Sequence, residues 1–236
     1  MHVKTQGLVL RETNYKEADK ILTVLTREGG KRTVKARGCR RKNSPLAASA
    51  QLLAWSDMTL FAYRDRLTLN EAEALELFWG VRADVEKLAL ASYFAEVTEA
   101  VAEEGRPDPA LLSLALNSLY ALDKLQRPLP LVKAAFELKL LCVAGYEPLL
   151  DACVVCGRAE PQEPRLDLAE GVLHCAACGL GDGASRTLDR TSLAAMRHVV
   201  YGDPKRLFSF PMDAPGMAKM STACEDFLRT QLDRGF

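Results

Sequence analysis

The sequence predicts an α+β chain: a small closed β-barrel over the first third, then a helical remainder that carries a metal-binding insert. Three observations support this. Five short strand-like runs fall between residues 3 and 72, apolar residues then recur at three- and four-residue spacing from residue 77 onward, and two Cys-x-x-C pairs interrupt the helical text.

Residues 3–12 and 20–26 combine alternation with short apolar runs and read as strands, joined by the polar, turn-like stretch 14–19. Gly29-Gly30 turns the chain into a third strand over 31–37, which stops at Gly38. After a loop, 52–63 supplies a fourth strand, and the turn 64–66 leads into a fifth over 67–72. Five short strands this close together suit a five-stranded OB-fold β-barrel. Trp55, Phe61 and Tyr63 are candidates for stacking on nucleobases. Phe61 and Tyr63 alternate onto one face, however, and are expected in the barrel core.

The net charge is zero, but residues 1–80 hold 14 Lys and Arg against 9 Asp and Glu, an excess of +5. The stretch 81–150 carries −3 and 151–236 carries −2, so a polyanion would dock on the first third. The sharpest signal is Lys31, Arg32, Lys35, Arg37, Arg40, Arg41 and Lys42, seven cations within 31–42 with no acid among them. Half on a strand and half on the following loop, they are expected to form one basic ledge that neutralises phosphates and releases counterions. Ser44, in the Asn43-Ser44-Pro45 stretch that ends the run, can donate to a phosphate. A merely solvated loop would leave seven like charges repelling one another for no return.

Helical periodicity runs from about 77 to 104 and breaks at Gly105 to Pro109, with Asp108 as N-cap and Pro109 as first helical residue of a second helix over 110–126. A third helix, 131–144, ends at Gly145. Two more follow over 188–201, capped by Thr187 or Asp189, and over 218–232. The expected boundaries are 1–78 for the barrel, 79–150 and 184–236 for the helical domain, and 151–183 for an insert within it.

That insert holds Cys153, Cys156, Cys175 and Cys178, with 18 residues between the pairs, the ribbon-type spacing of a four-thiolate zinc finger. A two-residue gap lets one chain offer two thiolates to one ion, and four thiolates leave no open position for water, which makes the Zn²⁺ structural. Gly157 and Gly179 follow the second cysteine of each pair, where a tight turn favours positive φ. His174 is the alternative fourth ligand. The segment between the pairs contains prolines and charges and is expected to lack a core of its own, so that metal supplies most of its folding energy. Disulfides would require an oxidising compartment, whereas nothing at the N-terminus reads as a signal peptide. The three further cysteines, Cys39, Cys142 and Cys224, fit a reducing cytoplasm.

No apolar run approaches the length of a membrane span, and no G-x-S-x-G, H-E-x-x-H, phosphate-loop or G-x-G-x-x-G pattern occurs. The reading is therefore a binding protein without membrane or small-molecule substrate. Its rivals are a zinc-ribbon nucleic-acid enzyme and a non-catalytic protein scaffold.

Taken together, Thr5-Gln6-Gly7-Leu8-Val9-Leu10, the 14–19 turn, Gly38 to Leu46, Leu138 to Pro148 and the four cysteines resemble the RecO family of bacterial DNA-repair proteins over essentially the whole chain. The resemblance implies an OB-fold domain, a helical domain and, with all four cysteines kept, the zinc-containing version. It further implies binding of single- and double-stranded DNA, annealing of complementary strands, and work with RecR and single-strand-binding protein to load RecA on coated DNA. The expected location is the cytoplasm, at the nucleoid.

Overall fold

The computed structural model describes residues 1–64, 66–179, 183–233 and 235. Asp65 of the expected 64–66 turn and residues 180–182 of the insert lie outside them. The strands of the first third are β1 (His2–Tyr15), β2 (Asp19–Thr26), β3 (Gly30–Ala36), β4 (Trp55–Tyr63) and β5 (Arg66–Glu76). They close into a barrel in the order β1-β2-β3-β5-β4, antiparallel except where Val34–Ala36 of β3 runs parallel to Leu67–Leu69 of β5. Period-two alternation fills the barrel with Val9, Leu22, Val24, Val34, Ala36, Met58, Leu60 and Leu69.

Several boundaries differ from expectation. The 14–19 stretch is strand as far as Tyr15, because cross-strand pairing continues to Tyr15–Asp19 and the turn is made by Lys16 at φ +53°. The 52–63 run becomes strand only at Trp55. Leu53, at φ +65°, bonds Val9 instead, its N–H donating to the Val9 carbonyl at 2.8 Å. β5 runs longer than expected, paired along β4 as far as Trp55–Glu76.

The helix expected over 77–104 is two: α1 (Trp79–Arg82) and α2 (Val85–Val101). The break is Asp84, whose carboxylate accepts from the N–H groups of Glu86 and Lys87 at 2.9 and 3.1 Å, a cap that periodicity alone hides. α3 (Pro109–Lys124) starts as expected, with Asp108 accepting from Leu111 N–H at 2.9 Å. α2 seats on the barrel: Glu99 binds Arg11, at 2.9 Å in the closest pair.

The chain divides into two units, Met1–Leu125 and Gln126–Phe236. In the second, α4 (Leu129–Val143), α5 (Arg190–Tyr201) and α6 (Ala214–Leu232) pack around Phe136, Leu140, Met196, Met220 and Phe227, all fully buried. Gly145 ends α4 region at φ +92°, and Asp189 rather than Thr187 caps α5, with Ser192 completing a reciprocal capping box. Between α4 and α5 lie β6 (Pro164–Asp167), β7 (Leu173–Cys175) and β8 (Ser185–Thr187), a sheet in the order β7-β6-β8.

Candidate nucleic-acid interface and metal centre

Alternation along β3 sorts the predicted cations. Val34 and Ala36 point inward and are fully buried, so Lys35 faces out, and Arg37 just beyond the strand is exposed. Arg32 shares the inward phase of Val34 and lies at the mouth of the barrel beside Gly29, lining a cavity with Leu60, Arg64 and Leu67. Lys31 is drawn to α2: its ammonium donates to the Glu99 carbonyl at 2.8 Å and its own N–H donates to Glu103 O at 3.3 Å. Arg40, Arg41 and Lys42 are exposed on the turn that follows Arg37. The seven cations are therefore not one ledge. Five follow one another outward along the end of β3 and its loop, and two belong to the seams of the barrel.

Lys35 and Arg37 open onto a groove of about 900 Å³ on the outer wall, shared with Tyr15, Phe61, Tyr63 and Arg66. Phe61 and Tyr63 do share a face, but it is the outer one, and they are 40% and 60% exposed. The core phase of β4 belongs instead to Ser56, Met58 and Leu60. This corrects the expectation of a core role for the pair. Tyr15 is 41% exposed, and the Lys35 ammonium stands 4.8 Å from the centre of its ring. Trp55 is half-buried under Arg27, whose guanidinium lies 6.0 Å from its ring centre, and it does not line the groove.

A second flank of the outer wall has the opposite sign. Asp57, Glu71 and Glu73 are exposed side by side, Asp57 and Glu73 being direct cross-strand partners. The field of the barrel is thus positive on one flank and negative on another. Sequence reasoning missed Tyr15 and Arg66. Only the β1–β2 register and the parallel β3–β5 pairing bring them beside Lys35.

In the insert, the Sγ atoms of Cys153, Cys156, Cys175 and Cys178 all lie within 4.8 Å of one another, a set that could hold a metal ion. Cys156 and Cys175 are 3.7 Å apart, against the edge of about 3.8 Å that a tetrahedron with 2.3 Å metal–sulfur bonds requires. Burial pushes the Cys153 thiol up, but the N–H groups of Cys156, Cys175 and Val155 outweigh it and bring it down to about 6. Hydrogen bonding to Cys156, and then burial, push Cys178 up to about 12. One thiolate thus opposes the next, and four at this spacing fit a divalent cation. His174 is not in the cluster; its Nδ1–H donates to the Cys175 carbonyl at 3.1 Å. Gly157 takes φ +72° as expected, but Gly179, at φ 16°, does not, because a 3-10 turn over Ala176–Cys178 positions the second pair.

The insert also shares the core of the second unit. Leu166, Leu168 and Leu173 are buried, Gly171 leaves room for the ring of Phe227, and Arg197 reaches from α5 to the carbonyls of Leu150, Asp151 and Ala159. A metal held there would therefore be one support among several. Among the described residues no helix is long and apolar enough to cross a membrane.

Two family models match the chain: recombination protein O N terminal over residues 1–78 and recombination protein O C terminal over 82–236. DNA repair protein RecO of Acetivibrio thermocellus is 31% identical over 236 residues, covering 100% of this chain and 94% of its own. The RecO of Alkaliphilus metalliredigens is 32% identical, covering 99% of this chain and 95% of its own, and that of Symbiobacterium thermophilum is 35% identical, covering 97% and 91%. Matched in both halves by models of recombination protein O and along its full length by DNA repair proteins, the chain belongs to the RecO family.

Proposed function

We propose that this chain is a non-enzymatic recombination mediator that binds single- and double-stranded DNA and anneals complementary strands. The groove carries the reading: Tyr15, Phe61 and Tyr63 are exposed on the same surface as Lys35, Arg37 and Arg66. Aromatic rings take unpaired bases by stacking, and the cations follow the backbone. A strand lying in the groove has its phosphates partly neutralised along Lys35, Arg37, Arg40, Arg41 and Lys42. Its complement then approaches against less repulsion. Lys31 and Arg32 add to the positive field rather than to direct contact. Pairing of bases is not covalent chemistry, so the barrel (1–78) needs no catalytic group.

The four thiolates hold one Zn²⁺, which cross-links the insert (151–183) and leaves no position open for a reacting water. The helical domain (79–150 and 184–236) is then a platform for protein partners. Family membership supports RecR and single-strand-binding protein in that role, with RecA loading as the outcome, in the cytoplasm at the nucleoid. The test is fluorescence anisotropy of the full chain on labelled oligo-dT and on duplex across a salt series, followed by annealing of two labelled complementary strands. Salt-dependent binding, faster annealing and DNA left intact with Mg²⁺ support the reading. No binding at low salt would favour a protein scaffold, and cleavage would favour an enzyme.

A further inference from the structure

The basic loop after β3 is held from outside by the turn between β1 and β2. Asp19 closes that turn, and its Oδ1 accepts from the Gly38 N–H at 2.8 Å, while Oδ2 lies 3.0 Å from the Lys35 ammonium. Next to it, the Ala18 carbonyl accepts from the Arg40 N–H at 3.0 Å and the Lys16 carbonyl accepts from the Arg40 guanidinium at 3.4 Å. Gly38 sits at φ +64°, so the loop reverses direction at the atom Asp19 grips. From the far side, Cys39 and Leu46 are buried in the barrel core. The Gly38 N–H, followed by Lys35, keeps the Asp19 carboxyl below the usual carboxylate range, so the grip is that of an ionised group at neutral pH.

We infer that Asp19 is a positioning residue: it clamps Gly38 so that Arg40, Arg41 and Lys42 are presented at the end of the groove, and it holds Lys35 beside Tyr15. The geometry stands by itself, whereas its consequence for DNA rests on the function proposed above. Two substitutions separate the clamp from the charge. Asp19→Asn keeps an oxygen to accept from Gly38 but loses the ion pair, leaving Lys35 free for a phosphate. Asp19→Ala loses both.

The experiment uses the full chain with two readouts, limited trypsin cleavage after Arg37 to Lys42 without DNA, and anisotropy of labelled oligo-dT across a salt series. Asp19→Ala is expected to speed cleavage in the loop and weaken binding about fivefold, the scale of one hydrogen bond. Asp19→Asn is expected to keep the loop protected and to steepen the salt slope by about 0.7, one added phosphate contact. Lys35→Gln should leave the loop protected, because the Gly38 clamp remains. Equal cleavage of Asp19→Ala and the parent would overturn the inference. So would loss of protection in Asp19→Asn or Lys35→Gln, since the charge pair would then be the restraint. If the parent does not bind oligo-dT, the function fails, while the proteolysis still decides the clamp.

Discussion

Replacing Lys35, Arg37, Arg40 and Arg41 together with alanine is expected to flatten the salt dependence of single-strand binding. Each phosphate neutralised on a single strand adds about 0.7 to the slope of log K against log salt, so four free cations account for about 3. The structure lowers that figure. Lys35 already faces the Asp19 carboxylate at 3.0 Å, and part of its charge is spent before DNA arrives. The expected change is therefore about 2. Lys31 is the internal control, because its ammonium is bonded to the Glu99 carbonyl at 2.8 Å, away from the groove. Lys31→Ala should lower stability by about 1 kcal/mol, the net value of a hydrogen bond, and leave the slope unchanged. Anisotropy on labelled oligo-dT over a salt series gives the slopes, and urea unfolding gives the stabilities. A fourfold variant with the parental slope would refute the groove as the DNA path. A Lys31→Ala variant that loses as much slope as a single loop arginine would show that the bond to Glu99 does not withdraw Lys31 from the DNA path.

Tyr63→Ala, which removes the most exposed ring of the groove, should cost about 1–3 kcal/mol on oligo-dT, the scale of one stacked base, and little on duplex, whose bases are already stacked. Equal losses on both would assign Tyr63 a structural role. The purified chain is expected to carry one zinc per molecule by elemental analysis, and Cys175→Ser should abolish it and lower the melting temperature without changing oligo-dT affinity. Retention of full metal content would place the ligands elsewhere. At α5, burial pushes the Asp189 carboxyl up, but Ser192 and Lys219 bring it below the usual range. A depressed carboxylate stabilises above its unfolded pKa of about 3.9 and loses that contribution as pH falls through the folded value. Asp189→Asn still caps the helix, so it should leave a shallower loss of stability below about pH 5 and little change in fold. An acid limb as steep as the parent's would exclude Asp189 as a contributor.

Local patterns were legible in the chain. Asp108-Pro109 marks a helix start because a capping carboxylate and a proline without N–H both suit the first turn, and the structure places α3 there. Four cysteines at ribbon spacing converge because each pair is brought together by its own turn, whatever the surroundings. Of the seven cations in 31–42, Lys35, Arg37, Arg40, Arg41 and Lys42 do stand on the outside of the barrel, since like charges cannot be buried together, whereas Lys31 is drawn to α2 and Arg32 to the mouth of the barrel. Asp84 escaped because the apolar period runs across it without interruption, so only its bonds to Glu86 and Lys87 reveal two helices.

The sequence alone determined which residues share a face, because strand alternation and helical period are properties of the backbone. Which face is inside was decided by tertiary structure. Met58 and Leu60 took the barrel core and turned Phe61 and Tyr63 outward, where the β4–β5 hairpin sets Arg66 opposite Tyr63 and the closure of the barrel brings Tyr15 to the same groove. α2, 68 residues further on at Glu99, drew Lys31 out of the charge run. Burial and long-range pairing are set by neighbours distant in the chain, and no local pattern encodes them.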